Sequence, residues 1–149
     1  MNILFFLTPK SEVDYIYEDF TLRQAVEKMD YHGYTAIPIL DREGHYVGTL
    51  ADGDILRIIK EQRHLDMKEA EKIPVSSIRH NRIIKSVSAS ARMEDMIELA
   101  YGQNFVPVVD DEDCFIGIIT RRDIIKYCYH EVLRLQFEKR ELLEKEDPN

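Results

Sequence analysis

Two stretches of this chain carry one pattern at a fixed distance. Ala36-Ile-Pro-Ile-Leu-Asp-Arg-Glu-Gly-His-Tyr-Val-Gly-Thr-Leu-Ala-Asp-Gly-Asp54 returns as Phe105-Val-Pro-Val-Val-Asp-Asp-Glu-Asp-Cys-Phe-Ile-Gly-Ile-Ile-Thr-Arg-Arg-Asp123. Pro38 and Pro107, Gly48 and Gly117, and Asp54 and Asp123 are each separated by the same 69 positions. An internal repeat of this length implies two copies of one supersecondary unit, neither of which buries its apolar surface alone. Within each copy, two apolar runs flank a polar turn and lead into a helix start, so each reads as strand, hairpin, strand and helix.

The flanks extend each unit. Val13 to Tyr17 alternates as a short strand, and Thr21-Leu-Arg-Gln24 is a capping box, in which the Thr hydroxyl and the Gln side chain satisfy each other's backbone N–H groups. Leu22, Ala25, Val26 and Met29 then share a helical face that Gly33 ends. A second helix is expected from about Asp52 to about His64, with Ile55, Leu56, Ile58 and Ile59 inward. In the second copy, Ile83 to Val87 is the matching first strand, and Met93, Met96, Ile97 and Ala100 repeat the first helical stripe. That stripe is offset by 71 positions from Leu22 to Met93, so the second copy is two residues shorter before its Pro-bearing strand. Asp66 to Ser77 is polar and reads as the connection. After Asp123 the helical period continues through Ile124, Ile125, Cys128, Val132, Leu135 and Leu142, giving a helix of some twenty residues. Its outer part has either Ile3 to Leu7 or an oligomer contact to cover it. The expected divisions are 1–72, 73–128 and a C-terminal helical extension at 129–149.

Charge excludes some partners. A formal net charge of −8 repels nucleic-acid phosphates and anionic membranes. The apolar run Ile3 to Leu7 is far below the roughly 18 to 20 residues of a membrane span, so a cytoplasmic location is expected. Cys114 and Cys128 read as buried, reduced thiols, and the five His show no ligand spacing. Neither catalytic nor metal-binding residues are expected, because no nucleophile stands with a His and an acid and no P-loop is present.

The strand, helix, strand, strand, helix order resembles the cystathionine-β-synthase (CBS) domain, here as a tandem pair. The resemblance rests on Ile37-Pro-Ile-Leu-Asp41 with Gly48-Thr-Leu-Ala-Asp-Gly-Asp54, and on Val106-Pro-Val-Val-Asp110 with Gly117-Ile-Ile-Thr-Arg-Arg-Asp123. It implies an α/β fold of two βαββα repeats about a pseudo-twofold axis, here with an extended C-terminal helix. It also implies two clefts between the repeats and a tendency to form homodimers.

In that family the clefts bind adenosine-containing small molecules, so an adenine nucleotide is the expected ligand and no cofactor is. The family pattern Gly-h-x-Thr-x-x-Asp, with h apolar, is complete only at Gly117 to Asp123. The resemblance gives Asp123 the ribose hydroxyls, through charge-assisted bonds worth roughly 1.5 to 3 kcal/mol each, and Thr120 the ribose or phosphate. Arg121 and Arg122 add charge suited to phosphate. Across the cleft it places adenine near Val13 and Asp14 and against Tyr34, Thr35 and Ala36. The other cleft reads as weaker: Asp54 remains, Ala51 replaces the Thr, and Phe105 is expected to fill the base space.

The resulting expectation is a regulatory module that senses AMP, ADP or ATP and signals to an effector protein the sequence does not name. The alternatives are a cyclic di-AMP receptor and a ligand-free dimerisation or scaffold module. The last stays open because Thr120-x-x-Asp123 is also a capping box, worth about 1 kcal/mol with no ligand present.

Overall fold

The computed structural model describes residues 2–80 and 83–146. The first repeat contains β2 (Ile16–Tyr17), α1 (Leu22–His32), β3 (Ala36–Leu40), β4 (Tyr46–Ala51) and α2 (Asp52–Glu61), and a short α3 (Met67–Ala70) follows. The second contains β5 (Val87–Ser88), α4 (Met93–Ala100), β6 (Phe105–Val109), β7 (Phe115–Thr120) and α5 (Arg121–Glu146). A two-residue β1 (Thr8–Pro9) precedes both.

The duplication holds down to register. β2 pairs parallel to β3, which pairs antiparallel to β4 with Ile37 opposite Leu50. β5, β6 and β7 repeat this with Val106 opposite Ile119, and the register shifts once at the equivalent point of each hairpin. The continuous apolar runs of β3 and β6 have the physical reason the sequence suggested: Ile37 to Leu40 and Val106 to Val109 are all buried. Each repeat has its own core. Leu22, Ala25 and Met29 of α1 close the first over Ile16, Ile37, Ile39 and Leu50. Met93 and Met96 of α4 close the second over Val106, Val108 and Ile119. Burying each such large side chain contributes about 1.5 to 3 kcal/mol.

The leading segments cross over. β1 pairs antiparallel with β7, Thr8 opposite Ile118 and Pro9 opposite Gly117, so the start of the chain completes the sheet of the second repeat. Ile3 is buried in that repeat's core, with Phe6 and Leu7 packed against it. Phe6 also meets Tyr127 of α5 edge-on, with ring centroids 5.5 Å apart. Gly117 is where β1 crosses: a Cβ there would stand 2.2 Å from the Thr8 carbonyl oxygen.

Several expectations need correction. Of the expected strands Val13 to Tyr17 and Ile83 to Val87, only Ile16–Tyr17 and Val87 pair as strand, the latter together with Ser88, because Val13, Asp14 and Ile84 line the clefts instead. α2 ends at Glu61, short of His64, and only Ile55 and Ile58 face the core; Leu56 and Ile59 are exposed. The polar connection is also structural. Ile73 accepts from the Leu22 N–H at 2.8 Å, and Ala70, Val75 and Ile78 enter the first core, since their apolar side chains outweigh the polar neighbours. α5 is longer than expected, at 26 residues. Its exposed Val132, Leu135, Phe137 and Leu142 lie beyond the Phe6 contact. Both thiols are free but only half-buried, Cys114 because it sits at a hairpin tip and Cys128 because it lies at the edge of the core. The capping box at Thr21 forms as read, with Gln24 N–H donating to Thr21 Oγ1 at 3.2 Å and Thr21 N–H to Gln24 Oε1 at 2.9 Å. No helix among the described residues is long and apolar enough to cross a membrane.

Candidate functional site

Residues at the starts of β3 and β6 border two clefts in common. One cleft, of about 370 Å³, is bounded by Val13, Asp14, Tyr34, Thr35 and Ala36 from the first repeat and Thr120 from the second. Its size falls in the range of small-molecule sites. Six residues assigned to one site from the sequence thus line one cavity. Their convergence follows from topology: β7 delivers Thr120 to the start of α5, and the turn after α1, with Gly33 in the left-handed region at φ 69°, delivers Tyr34 to Ala36.

Thr120 and Asp123 hold each other. The Asp123 N–H donates to Thr120 Oγ1 at 3.2 Å, and that hydroxyl donates to Asp123 Oδ2 at 2.9 Å. Asp123 stands one helical step behind Thr120, partly exposed, rather than in the cleft wall itself. On the opposite wall the Tyr34 hydroxyl donates to Asp14 Oδ2 at 3.1 Å, and His32 stacks on the Tyr34 ring with centroids 5.1 Å apart. Burial, and then the Asp14 carboxylate, push the Tyr34 hydroxyl above its ordinary pKa. Tyr34 is therefore a neutral donor fixed at the cleft mouth.

The two arginines part ways. Arg122 is exposed on the first turn of α5. Arg121 lines the other cleft, where its Nε donates to the carbonyls of Ala100 at 2.9 Å and Gln103 at 3.0 Å. It thereby satisfies carbonyls at the C-terminal end of α4, where the dipole favours a cation. The family resemblance gave both arginines charge suited to phosphate; the end of α4 puts carbonyl acceptors within reach of Arg121.

That other cleft is the larger, at about 500 Å³, and is lined by Ala51, Asp54, Gln103 and Arg121. Thr35, Ala36, Asn104 and Phe105 border both clefts. Phe105 was expected to fill the base space; half-buried, it forms the partition between two open cavities. Asp54 differs from Asp123 in burial, being 2% exposed. It accepts from the Ala51 N–H at 3.0 Å and lies 3.0 Å from His80 Nδ1. Sequence reading missed His80, because its ring reaches the first repeat from the segment that leads the second and no local pattern marks it. Gln103 was missed likewise. It is buried and bonds the N–H and carbonyl of Lys85 and the carbonyl of Phe105, which ties the start of β6 to the segment leading into β5.

Comparison with known proteins gives this geometry a family. Cyclic di-AMP receptor B of Bacillus subtilis is 26% identical over 125 residues, which cover 81% of this chain and 82% of that protein. A crystal structure of CbpB in complex with c-di-AMP superposes with a TM-score of 0.77 at 22% identity, covering 93% of this chain and 91% of the other. CBSX2 in complex with AMP does so with a TM-score of 0.69 at 21% identity, covering 87% and 96%. Several curated relatives are much longer, and the chain spans only 20%, 44% and 21% of three of them. The CBS domain matches twice, over residues 7–61 and 75–130, and the chain belongs to the CBS-domain family as a tandem pair.

Proposed function

We propose that the protein is a non-catalytic cytoplasmic receptor that holds an adenine nucleotide between its repeats, with cyclic di-AMP the leading ligand. One observation carries the choice of ligand: the similarity to the cyclic di-AMP receptor of Bacillus subtilis spans about four-fifths of both chains, so it embraces the whole two-repeat unit. The geometry is compatible with it. Two cavities that share Thr35, Ala36, Asn104 and Phe105 as a partition suit a ligand with two bases better than a single nucleotide.

In this reading Thr120 and Asp123 take the ribose, Val13, Asp14, Tyr34, Thr35 and Ala36 hold a base, and Arg122 meets a phosphate. Asp54, Phe105 and Arg121 serve the larger cleft. Groups from both repeats contact one ligand, so occupancy favours one relative orientation of the repeats over another. A change of that kind is what an effector protein reads. The assembly is a homodimer, formed by a second copy lying on the exposed face of α5: Ile125, Val132, Leu135 and Leu142 follow one another at intervals of seven, three and seven residues, the heptad spacing of a self-complementary helical seam.

Thermal unfolding with cyclic di-AMP, AMP, ADP, ATP and S-adenosylmethionine tests the ligand. A ligand at a hundred times its Kd adds about 2.7 kcal/mol, or roughly 5 to 10 °C for a chain of this size. Cyclic di-AMP is expected to give the largest shift, and Asp123→Ala to abolish it. The largest shift with a mononucleotide would transfer the reading to the AMP class, and no shift with any of the five would leave the scaffold function. Light scattering tests the assembly: Leu135→Glu is expected to give a monomer, and an unchanged mass would place the interface elsewhere.

A further inference from the structure

Away from both clefts, the hairpin tips of the two repeats meet. His45 and Cys114, at equivalent positions of the duplication, face each other in an antiparallel β-bridge. The Phe115 N–H donates to the Gly44 carbonyl at 2.9 Å and the Tyr46 N–H to the Asp113 carbonyl at 3.4 Å on either side of it. Each hairpin is folded by its own aspartate. Asp41 Oδ1 accepts from the N–H groups of Glu43 and His45, both at 2.9 Å. Asp110 Oδ1 accepts from those of Glu112 and Cys114, at 2.9 and 3.0 Å.

The first of these turns leaves side-chain donors converging. Asp41 Oδ2 lies 2.8 Å from His45 Nδ1, and Glu43 Oε2 lies 3.6 Å from the same nitrogen. One ligand atom from each of Asp41, Glu43 and His45 falls within 4.8 Å of the others. The Cys114 sulfur, from the other repeat, stands just outside that group and faces it across the bridge. Residues opposed across an antiparallel bridge carry their side chains on the same face with Cβ atoms about 4.5 to 5.5 Å apart. The Cys114 sulfur already lies 4.0 Å from the Glu43 carbonyl oxygen. Lys10 is a neighbouring cation, its Nζ 3.8 Å from where a Cβ on Gly44 would stand.

We propose that Asp41, Glu43, His45 and Cys114 form a binding site for a divalent transition ion of the zinc class, which fastens the two repeats together at their hairpin tips. An imidazole nitrogen, a thiolate and carboxylate oxygens are the donor set this class accepts, whereas calcium and magnesium take oxygen alone. The sulfur is what separates the site from an ordinary acidic turn, and it lies 69 residues away, which is why ligand spacing in the sequence gives no sign of it. Binding requires the thiol to lose its proton and a rotation about the Cys114 side chain to aim sulfur at the ion. The site is independent of any nucleotide in the clefts.

Cobalt(II) titration of the intact protein tests the assignment, because a cobalt–thiolate bond gives a sulfur-to-metal charge-transfer absorption that carboxylates and imidazole do not. The wild-type protein is expected to bind one equivalent with that band, and zinc to displace it. Cys114→Ser should lose the band, whereas Cys128→Ser should keep it. His45→Ala should weaken binding by about tenfold or more. Zinc should raise the melting temperature of the wild type, and excess chelator should reverse it. No band in the wild type, a band that survives Cys114→Ser, or undiminished binding by His45→Ala would each overturn the site. A circular-dichroism melt of every variant guards against reading misfolding as lost affinity.

Discussion

Set side by side, the two repeats share a register and differ in what has been laid across them. Gly48 and Gly117 occupy the same point of the same hairpin, each paired with the preceding strand's apolar run. Over Gly117 runs the backbone of β1, so near that a Cβ would lie 2.2 Å from the Thr8 oxygen and 3.1 Å from the Pro9 Cα. Over Gly48, among the described residues, lies the His80 ring, 3.6 Å from where a Cβ would be. The segment leading each repeat thus crosses to the other. The chain's first segment contributes main chain and leaves Thr120 and Asp123 bonded to each other, whereas the middle segment contributes a side chain that reaches Asp54. Duplication preserved the scaffold, and the crossing segments made the two clefts chemically different.

The sharpest way to break this comparison is to give both glycines the same methyl group. Gly117→Ala must push two backbone segments apart, and a loss of about 2 to 3 kcal/mol is expected, in the range of overpacked cores. Gly48→Ala meets an ordinary contact and should change stability by less than about 0.5 kcal/mol. Urea denaturation of the two variants measures both. Equal losses would mean that β1 does not constrain the second repeat in the way the distances imply.

Tyr46 tests how the middle segment is fastened. Its hydroxyl lies 2.7 Å from Thr49 Oγ1 and donates to the Ile84 carbonyl at 2.7 Å, which ties β4 to the segment before β5. Burial pushes its pKa up to about 12 from 10.0. A raised folded-state value favours the protonated form in the native protein. The contribution is therefore complete below about pH 10 and is lost as pH rises from there through about 12. A tenfold difference in proton affinity is worth about 1.36 kcal/mol, so the loss across this window is about 2 kcal/mol. Tyr46→Phe should cost about 1 kcal/mol at neutral pH and flatten this part of the alkaline profile. An identical pH slope in Tyr46→Phe would show that another group governs it.

The sequence announced whatever was local or repeated. The capping box at Thr21, the helical stripes of α1 and α4 and the hairpins at Asp41 and Asp110 are short-range patterns, and the 69-residue repeat amplified them. Six of the residues lining the smaller cleft were legible because the family resemblance places the site just ahead of β2, at the entry to β3 and at the start of α5, and the duplication locates those elements. What stayed hidden depends on contacts between distant parts. His80 beside Asp54, Arg121 against Ala100, and β1 on β7 join segments that carry no mutual signal in one sequence. Phe105 misled for the same reason. Its size was visible, but that it borders both cavities depends on how the two repeats meet.

A gain in stability, rather than a loss, isolates the missing hydroxyl. Ala51 occupies the helix-start position that Thr120 occupies in the second repeat, with an extended backbone at φ −113° and ψ 159° suited to an N-cap. Half of a capping box is already present, since the Ala51 N–H donates to Asp54 Oδ2 at 3.0 Å. In the second repeat, Thr120 Oγ1 accepts from the Asp123 N–H. Ala51→Thr would supply the same acceptor to Asp54, and a gain of about 1 kcal/mol is expected, the usual difference between a good cap and alanine. The larger cleft, which Ala51 lines, should gain a ribose-facing hydroxyl at the same time. Calorimetry with cyclic di-AMP would then separate two outcomes. Tighter binding would show that the lost hydroxyl limits the larger cleft, and a gain in stability with unchanged affinity would show that His80 beside Asp54 limits it instead.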